Sequence, residues 1–370
     1  MDTVFELGDA LGPYKTIHVF NPRFNVRGIL VIDNVAIGPA IGGLRMAKDV
    51  SLEECARLAR AMTFKNAAAG LAHGGGKSVL IADPAMPIDQ KEAVIRAFAR
   101  ALHAEEQYIF GPDMGTNETS MAWVRDEIGR SVGLPKALGG IPLDELGATG
   151  WGVAAAAEVA QDFCDVKLAG ATMAIQGFGA VGMHSARFLT NAGVTLVAAA
   201  DSKGTVYSPE GLDVEALIAL KHEGRSVMDY SHGQKSGPED IVGVQADIWI
   251  PAARPDVIRM DNVASLKTRL IIQGANIPMT ADAEKAVHEA GILNIPDFIA
   301  NAGGVICAAM EYQGMDQAMA FDTIKRKVAE NTRTVLGRAE KDHSLPRQAA
   351  ISLANERLEA AMNTRRWGLY

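Results

Sequence analysis

The sequence predicts an α/β protein with two domains. Its 370 residues exceed what one domain usually holds, at roughly 150 residues per domain. In the second half of the chain, short apolar segments alternate with helical ones, which is typical of a parallel sheet with helices on both faces. Apolar residues make up 48% and charged residues 22%, the balance of a globular chain, so a fibrous or disordered protein is excluded.

Composition and charge also exclude several classes of function. The three cysteines, Cys55, Cys164 and Cys307, are odd in number and never form a CxxC pair, which argues against a disulfide framework or a zinc site. A net charge of −8 without a basic stripe argues against a nucleic-acid partner. We see no signal-peptide pattern, and no apolar run approaches the roughly 20 residues of a membrane span. We therefore expect a cytoplasmic protein that acts on a small molecule, with no metal, nucleic-acid or membrane partner.

The first third of the chain predicts a mixed α/β domain. Ser51 and Glu54 form a capping box that begins a helix running toward Leu71. The other predicted elements are a buried strand over 28–33, a helix over 89–102, a strand over 108–110 and a helix capped by Thr116 or Asn117. From about Pro135 to Gly147 the chain is rich in Gly and Pro, which is typical of a hinge.

Beyond this hinge, the sequence predicts a doubly wound parallel sheet. Its strands are expected over residues 171–176, 194–200, 247–250 and 270–273. Each of these short apolar runs is followed by a helical or loop segment. The tail from Met315 to Met362 predicts helices only, which could pack on either domain.

A glycine motif follows the first strand of this sheet and opens the helix predicted over 180–191. In such a GxGxxG motif the first glycine permits a tight turn, the second lets the backbone approach a pyrophosphate, and the third lets helix and strand pack closely. The free N–H groups and dipole at the start of the helix favour phosphate. The sequence therefore predicts a Rossmann-type dinucleotide site. The residues assigned to it are Gly177, Gly179, Ala180, Val181 and Gly182.

The next predicted strand leads to Asp201, about twenty residues beyond the motif, where a ribose-binding acid belongs. A carboxylate at this place accepts hydrogen bonds from the ribose hydroxyls and repels a 2′-phosphate. NAD is therefore the expected cofactor. NADP stays open, because Ser202 and Lys203 could help to bind a phosphate.

Two lysines and an aspartate predict the chemistry. Lys65 shares a helix face with Leu58 and Met62, so it either belongs to a buried stripe or snorkels at the edge of the core. Lys77 follows three glycines, which we expect to bend the backbone sharply and bring it close to a ligand. Asp113 lies in a Gly- and Pro-rich loop, either as the partner carboxylate or as an ordinary turn or cap residue. Lysines that share a cleft lower each other's pKa, so one of them could serve as a base or polarise a carbonyl.

At these residues the chain resembles the glutamate/leucine/phenylalanine/valine dehydrogenase family. The segments that carry the resemblance are 38–45, 62–70, 71–84, 112–117, 148–150, 273–276 and 301–304. They follow the family's order along the chain. The resemblance implies a substrate domain, then a Rossmann domain, with the last helices returning to the substrate domain. We accordingly expect a substrate-binding and oligomerisation domain over 1–137, a Rossmann domain over 138–340 and a returning helix over 341–370. Family members are oligomeric, so a homo-oligomer is expected.

The resemblance also implies the reaction, which is oxidative deamination of an L-amino acid to the 2-oxo acid and ammonia. Lys65 would bind the substrate α-carboxylate, Lys77 would polarise the carbonyl oxygen and activate water, and Asp113 would transfer protons to and from the amine. Further implied contacts to the substrate are Gly42, Gly43 and Asn301. Further implied contacts to the cofactor are Thr149 and Asn276, which would orient the nicotinamide carboxamide, and Ala252.

The implied side-chain pocket lacks the residues that hold glutamate in this family. A lysine before the paired glycines is replaced by Ile41, and a serine after the Asn-Ala-Gly-Gly segment by Ala308. An unpaired carboxylate buried there would cost on the order of several kcal/mol, whereas each buried CH₂ gains about 0.8 kcal/mol. We therefore expect a leucine-, valine- or phenylalanine-like substrate, lined by Ile41, Met62, Val305 and Ala308.

Two alternatives to this substrate stay open. The first is glutamate or another polar amino acid, held by a charge from elsewhere such as His73, which we otherwise expect to be an exposed loop histidine. The second is a catalytically silent relative that binds a nucleotide or amino acid as a regulator. The intact Lys65, Lys77 and Asp113 argue against this second alternative.

Overall fold

A computed structural model describes residues 4–365, in which strands and helices alternate. The strands are β1 (Lys15–Asn21), β2 (Val26–Asn34), β3 (Ala40–Ala47), β4 (Gly74–Ile81), β5 (Tyr108–Pro112), β6 (Thr172–Gln176), β7 (Thr195–Asp201), β8 (Gly204–Tyr207), β9 (Gln234–Ser236), β10 (Ile248–Pro251), β11 (Leu270–Ile272) and β12 (Leu293–Ile295). The helices are α1 (Leu52–Ala68), α2 (Ile88–Ala101), α3 (Glu118–Ile128), α4 (Leu143–Leu146), α5 (Ala148–Ala160), α6 (Ala180–Asn191), α7 (Val214–His222), α8 (Ala281–Glu289), α9 (Asp297–Ala300), α10 (Gly303–Tyr312), α11 (Gln317–Asp342) and α12 (Pro346–Thr364). The predicted α/β class is confirmed.

The chain forms two compact units. The first contains the chain up to Pro142, the segment Val305–Ala320 and the chain from Ile351 on, and the second contains Leu143–Gly304 and Phe321–Ala350. This division differs from the predicted ranges mainly at Val305–Ala320, which packs with the first unit. The reason lies in α10, where the Glu311 carboxylate accepts hydrogen bonds from the backbone N–H groups of Leu134 at 3.1 Å and Ile141 at 2.8 Å.

A five-stranded mixed sheet in the order β1-β2-β4-β3-β5 forms the first unit. β2 pairs antiparallel with β1 and β4, whereas β3 pairs parallel with β4 and β5. On one face lies an aromatic core in which the ring centroids of Tyr108 and Phe110 are 4.7 Å apart and those of Phe98 and Phe110 are 6.2 Å apart. The buried Tyr108 hydroxyl donates to the carbonyl of Gly42 at 2.8 Å, so the core fixes β3.

The segment before Lys77 differs from its prediction. Its glycines do not form a sharp bend but lie in the extended strand β4, against which α1 packs. A Cβ at Gly75 would lie 2.0 Å from the backbone nitrogen of Thr63 in α1, and a Cβ at Gly76 would lie 2.9 Å from the Tyr108 ring. Glycine is therefore required here because helix, strand and core approach one another closely.

A seven-stranded sheet in the order β12-β11-β10-β6-β7-β8-β9 forms the second unit. The strands from β12 to β7 run parallel, and β8 and β9 add an antiparallel edge. The chain moves from β6 to β7 on one side and to β10 on the other, so the direction of winding switches between β6 and β10. This arrangement confirms the predicted Rossmann-type doubly wound sheet, in which ligands bind at the carboxyl ends of the strands beside the switch.

The tail is helical, as predicted, and α12 returns to the first unit from Ile351 on. The Arg357 guanidinium donates to the carbonyls of Ala67 at 3.1 Å and Ala68 at 2.5 Å, at the end of α1. This contact anchors the returning helix to the helix that carries Lys65. None of the helices within residues 4–365 combines the length and low charge needed to cross a membrane.

We predict that Gly75→Ala lowers the free energy of unfolding by about 3 kcal/mol, because a methyl group there meets the backbone of α1 and forces strand and helix apart. Urea unfolding measures this change. Gly337→Ala in α11 is the control, since no atom of the described chain lies within 4 Å of its Cβ position. This variant should be as stable as wild type or slightly more stable. Equal effects of the two substitutions would contradict the close packing of α1 on β4.

Candidate active site

Lys77 and Asp113 meet on the first unit's sheet. Lys77 lies in β4 and Asp113 directly follows β5, with β3 between the two strands. The Lys77 ammonium forms an ion pair with Oδ2 of Asp113. A Cβ at Gly43 in β3 would lie 2.8 Å from Cβ of Asp113 and 3.1 Å from Nζ of Lys77. The pair occupies space that exists only because residue 43 has no side chain.

The loop that carries Asp113 is held by its own hydrogen bonds. The Thr116 hydroxyl accepts from the Asp113 backbone N–H at 3.0 Å and donates to the carbonyl of Leu44 at 2.8 Å. The side chain of Asn117 caps α3 by accepting from the Ser120 N–H at 3.1 Å. Of the two cap residues predicted, Asn117 is the correct one. Asp113 therefore caps no helix, and its carboxylate is available for chemistry.

Arg45 is a member of this cluster to which the sequence analysis assigned no role. Its Nε donates to Oδ2 of Asp113 at 3.3 Å, and its NH1 donates to Oε1 of Glu54 at 2.6 Å. The sequence feature that could have predicted this contact is the alternation of side chains along β3. Residues 41, 43 and 45 share one face of a strand, so Arg45 points to the same side as the space at Gly43. This strand was not predicted from the sequence, because Gly42 and Gly43 interrupt its apolar pattern.

Charge governs the protonation of Asp113. Burial by itself would raise the pKa of this carboxyl, but the nearby Lys77 and Arg45 cations outweigh burial and lower its pKa. Asp113 is therefore ionised at neutral pH. An ionised carboxylate can take a proton from a bound ammonium group, which fits the predicted role in acid–base transfer.

Lys65 and Met62 are partly buried in the last turns of α1. The neighbouring Asn66 side chain donates to the carbonyl of Gly74 at 2.6 Å, so the end of α1 is fixed to the start of the strand that carries Lys77. This contact places the helix end beside β4. That the ammonium groups of Lys65 and Lys77 face one ligand stays a prediction.

The residues predicted to line the side-chain pocket belong to the first unit. Ile41 in β3 is 3% exposed and Ala308 in α10 is 7% exposed. Val305, which is partly buried, precedes Ala308 by three residues and shares its helix face. These positions offer a bound side chain apolar neighbours, and their assignment to the substrate stays a prediction.

His73 is buried, not the exposed loop residue that the sequence analysis expected, with 4% of its surface accessible. Its Nδ1 donates to the carbonyl of Pro39 at 3.1 Å, and its ring packs edge-on against Tyr312 with centroids 5.8 Å apart. Burial lowers the pKa of His73. Its Nε2 is buried and has no hydrogen-bond partner within the described residues. Gly75 in β4 pairs with Ile41 in β3, and His73 precedes Gly75 by two residues. The Nε2 atom of His73 is therefore a buried polar atom without a partner in the described part of the chain.

The predicted dinucleotide residues of the second unit gather at the carboxyl ends of β6, β10 and β11. A Cβ at Gly177 would lie 2.7 Å from the nitrogen of Ala253, which shows how closely the turn after β6 approaches the segment after β10. The Ala252 N–H donates to the carbonyl of Gln176 at 2.7 Å. A Cβ at Gly274, after β11, would lie 3.1 Å from Val181 in α6. This edge is where a doubly wound sheet binds its ligand.

The glycine motif has the geometry that a pyrophosphate requires. A Cβ at Gly182 would lie 2.0 Å from the carbonyl oxygen of Gly177, so helix and strand pack too closely for a side chain. Gly179 precedes the first helical residue, Ala180, and no atom of the described chain lies within 4 Å of its Cβ position. The space beside the N-terminus of α6 is therefore open to an anion. These residues fit a bound dinucleotide.

Asp201 differs from its prediction, because its carboxylate is occupied by the protein itself. Oδ1 accepts from the Lys203 N–H at 2.9 Å and the Ser226 hydroxyl at 2.9 Å, and Oδ2 accepts from the Lys221 ammonium at 2.9 Å and the Val227 N–H at 3.0 Å. Burial opposes ionisation, but these donors lower the pKa of Asp201 to about 2. A carboxylate offers about four acceptor sites, all used here, so a ribose hydroxyl would have to displace one donor.

Thr149, Asn276 and Asn301 lie together in the second unit. The Asn301 amide donates to Oδ1 of Asn276 at 3.0 Å and to the carbonyl of Gly274 at 3.2 Å. A Cβ at Gly303, at the start of α10, would lie 3.1 Å from Cα of Thr149. The carbonyl oxygen of the Asn301 side chain is buried with no hydrogen-bond partner in the described part of the chain. This oxygen fits a ligand that presents an N–H group.

Comparisons with known proteins agree with these motifs. A family model described as Glutamate/Leucine/Phenylalanine/Valine dehydrogenase matches residues 139–366, and one described as Glu/Leu/Phe/Val dehydrogenase, dimerisation domain, matches residues 21–130. A glutamate dehydrogenase of Aeropyrum pernix is 36% identical over 358 residues, 90% of this chain and 85% of the relative. An NADP(+)-dependent glutamate dehydrogenase of Pyrobaculum calidifontis is 35% identical, covering 92% of this chain and 86% of the relative. The crystal structure of a hetero-hexameric glutamate dehydrogenase from Thermus thermophilus, Leu bound form, gives a TM-score of 0.85 at 29% identity over 97% of this chain and 91% of that chain.

We predict that Asp113→Asn lowers the free energy of unfolding at neutral pH by on the order of 2 kcal/mol, because it leaves Lys77 and Arg45 without their anion. The folded pKa of Asp113 lies below its ordinary value of 3.8, so its stabilising charge is present above that value and lost as the pH falls through the folded pKa. Urea unfolding of both proteins at a series of pH values should therefore show a difference that shrinks below about pH 4.

The control for this experiment is Asp126→Asn, which removes an exposed carboxylate that pairs with Arg96 in the same unit. Its effect should stay below about 0.5 kcal/mol throughout the pH range. A difference between wild type and Asp113→Asn that persists unchanged to about pH 2 would contradict the charge assignment at Asp113.

Proposed function

Since the chain belongs to the glutamate/leucine/phenylalanine/valine dehydrogenase family and is an amino acid dehydrogenase, we propose that it deaminates an L-amino acid with Lys77 and Asp113 as its catalytic residues. The observation that carries this proposal is the ion pair of Lys77 with Asp113 over the space at Gly43. A lysine, an ionised carboxylate and a glycine-sized space between them supply an electrophile, a base and room for a small substrate.

In this proposal each residue has one task. When bound, the nicotinamide cofactor accepts the hydride from the substrate Cα. Asp113 takes a proton from the substrate ammonium, Lys77 polarises the developing carbonyl and activates the attacking water, and Lys65 binds the α-carboxylate. Backbone groups of Gly42 and Gly43 help to hold the substrate. The products are the 2-oxo acid and ammonia, and the reaction is reversible.

The proposed cofactor is NAD, with NADP as the alternative. The open N-terminus of α6 supports a pyrophosphate, and the cluster of Thr149, Asn276 and Asn301 supports a carboxamide. The saturated carboxylate of Asp201 weakens the argument for NAD, because its negative charge is matched by Lys221. The Pyrobaculum relative is named NADP(+)-dependent, which supports the alternative. Both cofactors therefore enter the assay.

Glutamate is the first substrate proposed, because the curated relatives at 36% and 35% identity are glutamate dehydrogenases. Its side-chain carboxylate needs a hydrogen-bond donor other than residue 41. His73 is a candidate for this donor, because its buried Nε2 has no hydrogen-bond partner within the described residues. Burial lowers the pKa of His73, so Nε2 would donate only where the charge of a bound carboxylate keeps the ring protonated. The similarity to glutamate dehydrogenases extends over nine tenths of the chain, and this outweighs the composition of the pocket.

An apolar amino acid is the second candidate, and a specific observation favours it. Ile41 and Ala308 are both buried and carry no polar atom that could meet a side-chain carboxylate. A leucine-, valine- or phenylalanine-like side chain would gain about 0.8 kcal/mol per CH₂ buried against them. The two candidates differ only in the substrate side chain, so the catalytic residues are common to both.

We also propose that the protein is a cytoplasmic homo-oligomer. The match of residues 21–130 to a dimerisation domain supports self-association. A reducing compartment is proposed because Cys55, Cys164 and Cys307 form no disulfide.

We predict that the protein reduces NAD or NADP in the presence of an L-amino acid and that Lys77→Ala lowers kcat/KM by about a thousandfold or more, because the carbonyl loses its electrophile. Absorbance of the reduced cofactor, followed with each of twenty amino acids, measures this rate. Lys48→Ala is the control, since this lysine is 71% exposed and pairs with Asp83 at the surface. Turnover that survives in Lys77→Ala, or no turnover by wild type with either cofactor, would refute the proposal.

We predict that Ile41→Lys combined with Ala308→Ser raises kcat/KM for glutamate relative to leucine by about tenfold or more, because a charged partner for the side-chain carboxylate replaces an apolar wall. The same absorbance assay with both amino acids measures the ratio. The control is Gln313→Lys with wild-type residues at 41 and 308, which adds a charge at an exposed position just after α10. An unchanged ratio would mean that the side-chain pocket lies elsewhere.

A further inference from the structure

Arg347, at the start of α12, joins several polar groups of the second unit. Its Nε donates to Oε2 of Glu284 at 2.6 Å, and its NH2 donates to Oε1 of Glu284 at 2.8 Å. The same NH2 donates to Oε1 of Gln273 at 2.9 Å, and NH1 forms an ion pair with Oδ1 of Asp297 at 2.9 Å. Glu284 and Asp297 are 5% and 7% exposed at their side chains, so Arg347 neutralises two buried carboxylates.

Asp297, one of the groups that Arg347 binds, forms hydrogen bonds with both ends of the segment Gln273–Ile277. The other oxygen of Asp297 accepts from the Ile277 N–H at 2.7 Å, and the Asp297 N–H donates to Oε1 of Gln273 at 3.1 Å. Ile277 has a positive φ of 49°, a conformation that a β-branched residue adopts only when its surroundings impose it. The Asp297 carboxylate holds the N–H of this residue, and the Asp256 N–H holds its carbonyl at 2.9 Å.

Asp297 is also the first residue of α9, and its backbone carbonyl holds Asn301, which follows the helix. The Asn301 N–H donates to the backbone carbonyl of Asp297 at 2.7 Å, and the Asn301 side chain donates to Oδ1 of Asn276 at 3.0 Å. Asn276 and Asn301 are therefore both positioned by Asp297, the first through its carboxylate and the second through its backbone carbonyl. One reaches it through the backbone of Ile277 and the other through the turn of α9.

We propose that Arg347 is a positioning residue for the nicotinamide end of the cofactor site. It orients Asp297 and Gln273, which in turn set the conformation of Asn276 and the orientation of the Asn301 side chain. This inference rests on the proposed function, because the contact of Asn276 with a carboxamide belongs to that proposal. It assigns a role in the reaction to a residue of the C-terminal helices, which the motifs of the sequence did not include.

The proposed role of Arg347 requires the planar geometry of its guanidinium as well as its positive charge. Arginine offers a planar fork of five N–H donors, and Arg347 uses the fork on two carboxylates and an amide oxygen at once. A lysine keeps the positive charge but presents a single ammonium, which can satisfy only part of this set. Arg347→Lys therefore separates the loss of orientation from the loss of charge.

The experiment compares the dissociation constants of NADH and of ADP-ribose, which contains the same adenosine and pyrophosphate but lacks the nicotinamide. NADH binding is measured by its fluorescence and ADP-ribose binding by calorimetry, for wild type, Arg347→Lys and a control. The control is Arg187→Lys, since Arg187 forms a similar fork on Glu215, at 2.7 and 2.8 Å, on the surface of the same unit.

In Arg347→Lys we expect the dissociation constant of NADH to rise by about fivefold or more and kcat to fall by about tenfold, because a small misplacement of a positioned group is costly. The dissociation constant of ADP-ribose should change less than about twofold, because the glycine motif is untouched. Arg187→Lys should leave both constants and kcat unchanged. Equal weakening of both ligands, or no change in either, would overturn the positioning role and leave Arg347 a structural residue only.

If Arg347→Lys does not fold, Glu284→Gln applies the same test, since it keeps the side-chain volume and weakens one arm of the fork. The proposed function is judged separately. Wild type that binds NADH and turns over an amino acid supports that function whatever the variants do. Wild type that binds neither NADH nor NADPH refutes the function and this inference together.

Discussion

The arrangement of the first unit depends on one partly buried carboxylate, that of Asp113, which lies between two cations. Asp113 is ionised because Lys77 and Arg45 outweigh the cost of its burial. Lys77 and Arg45 lie in neighbouring strands of the sheet, and Asp113 directly follows a third, so the hydrogen-bonded ladder and the hydrogen bonds of Thr116 fix their spacing. The absence of a side chain at Gly43 supplies the room. Strand order, glycine and charge together define the site.

The second unit offers a large anion mainly backbone groups, at the start of α6 and in the turns that follow the strands. Its backbone turns after β6, β10 and β11 approach one another so closely that side chains are excluded at Gly177 and Gly182. The charged residues of this region are turned inward. Asp201 is enclosed by four donors, and Arg347 binds two buried carboxylates, so both act on the shape of the backbone. Recognition here is a matter of geometry more than of charge.

The sequence predicted the elements whose pattern is local. The helix over 180–191 and the strand over 28–33 followed from periodicity, caps and apolar runs, and Lys77 and Asp113 followed from their motifs. It missed β3 and β4, because glycines interrupt the apolar pattern of both strands and β4 is buried along almost its whole length. It also missed Arg45 and Arg347 and misplaced His73. Their partners are distant in sequence, and tertiary contacts of this kind leave no trace in a local pattern.

The spacing of residues along one face of β3 separates the proposed position of the chemistry from that of substrate specificity. Gly43 borders the reacting groups, while Ile41, one step back along the same strand face, is assigned to the side chain of the amino acid. A change at residue 41 leaves the ladder and the Lys77–Asp113 pair in place. In the proposed assignment of Ile41, an evolving lineage could exchange one nutrient for another through a single codon, without rebuilding its chemistry.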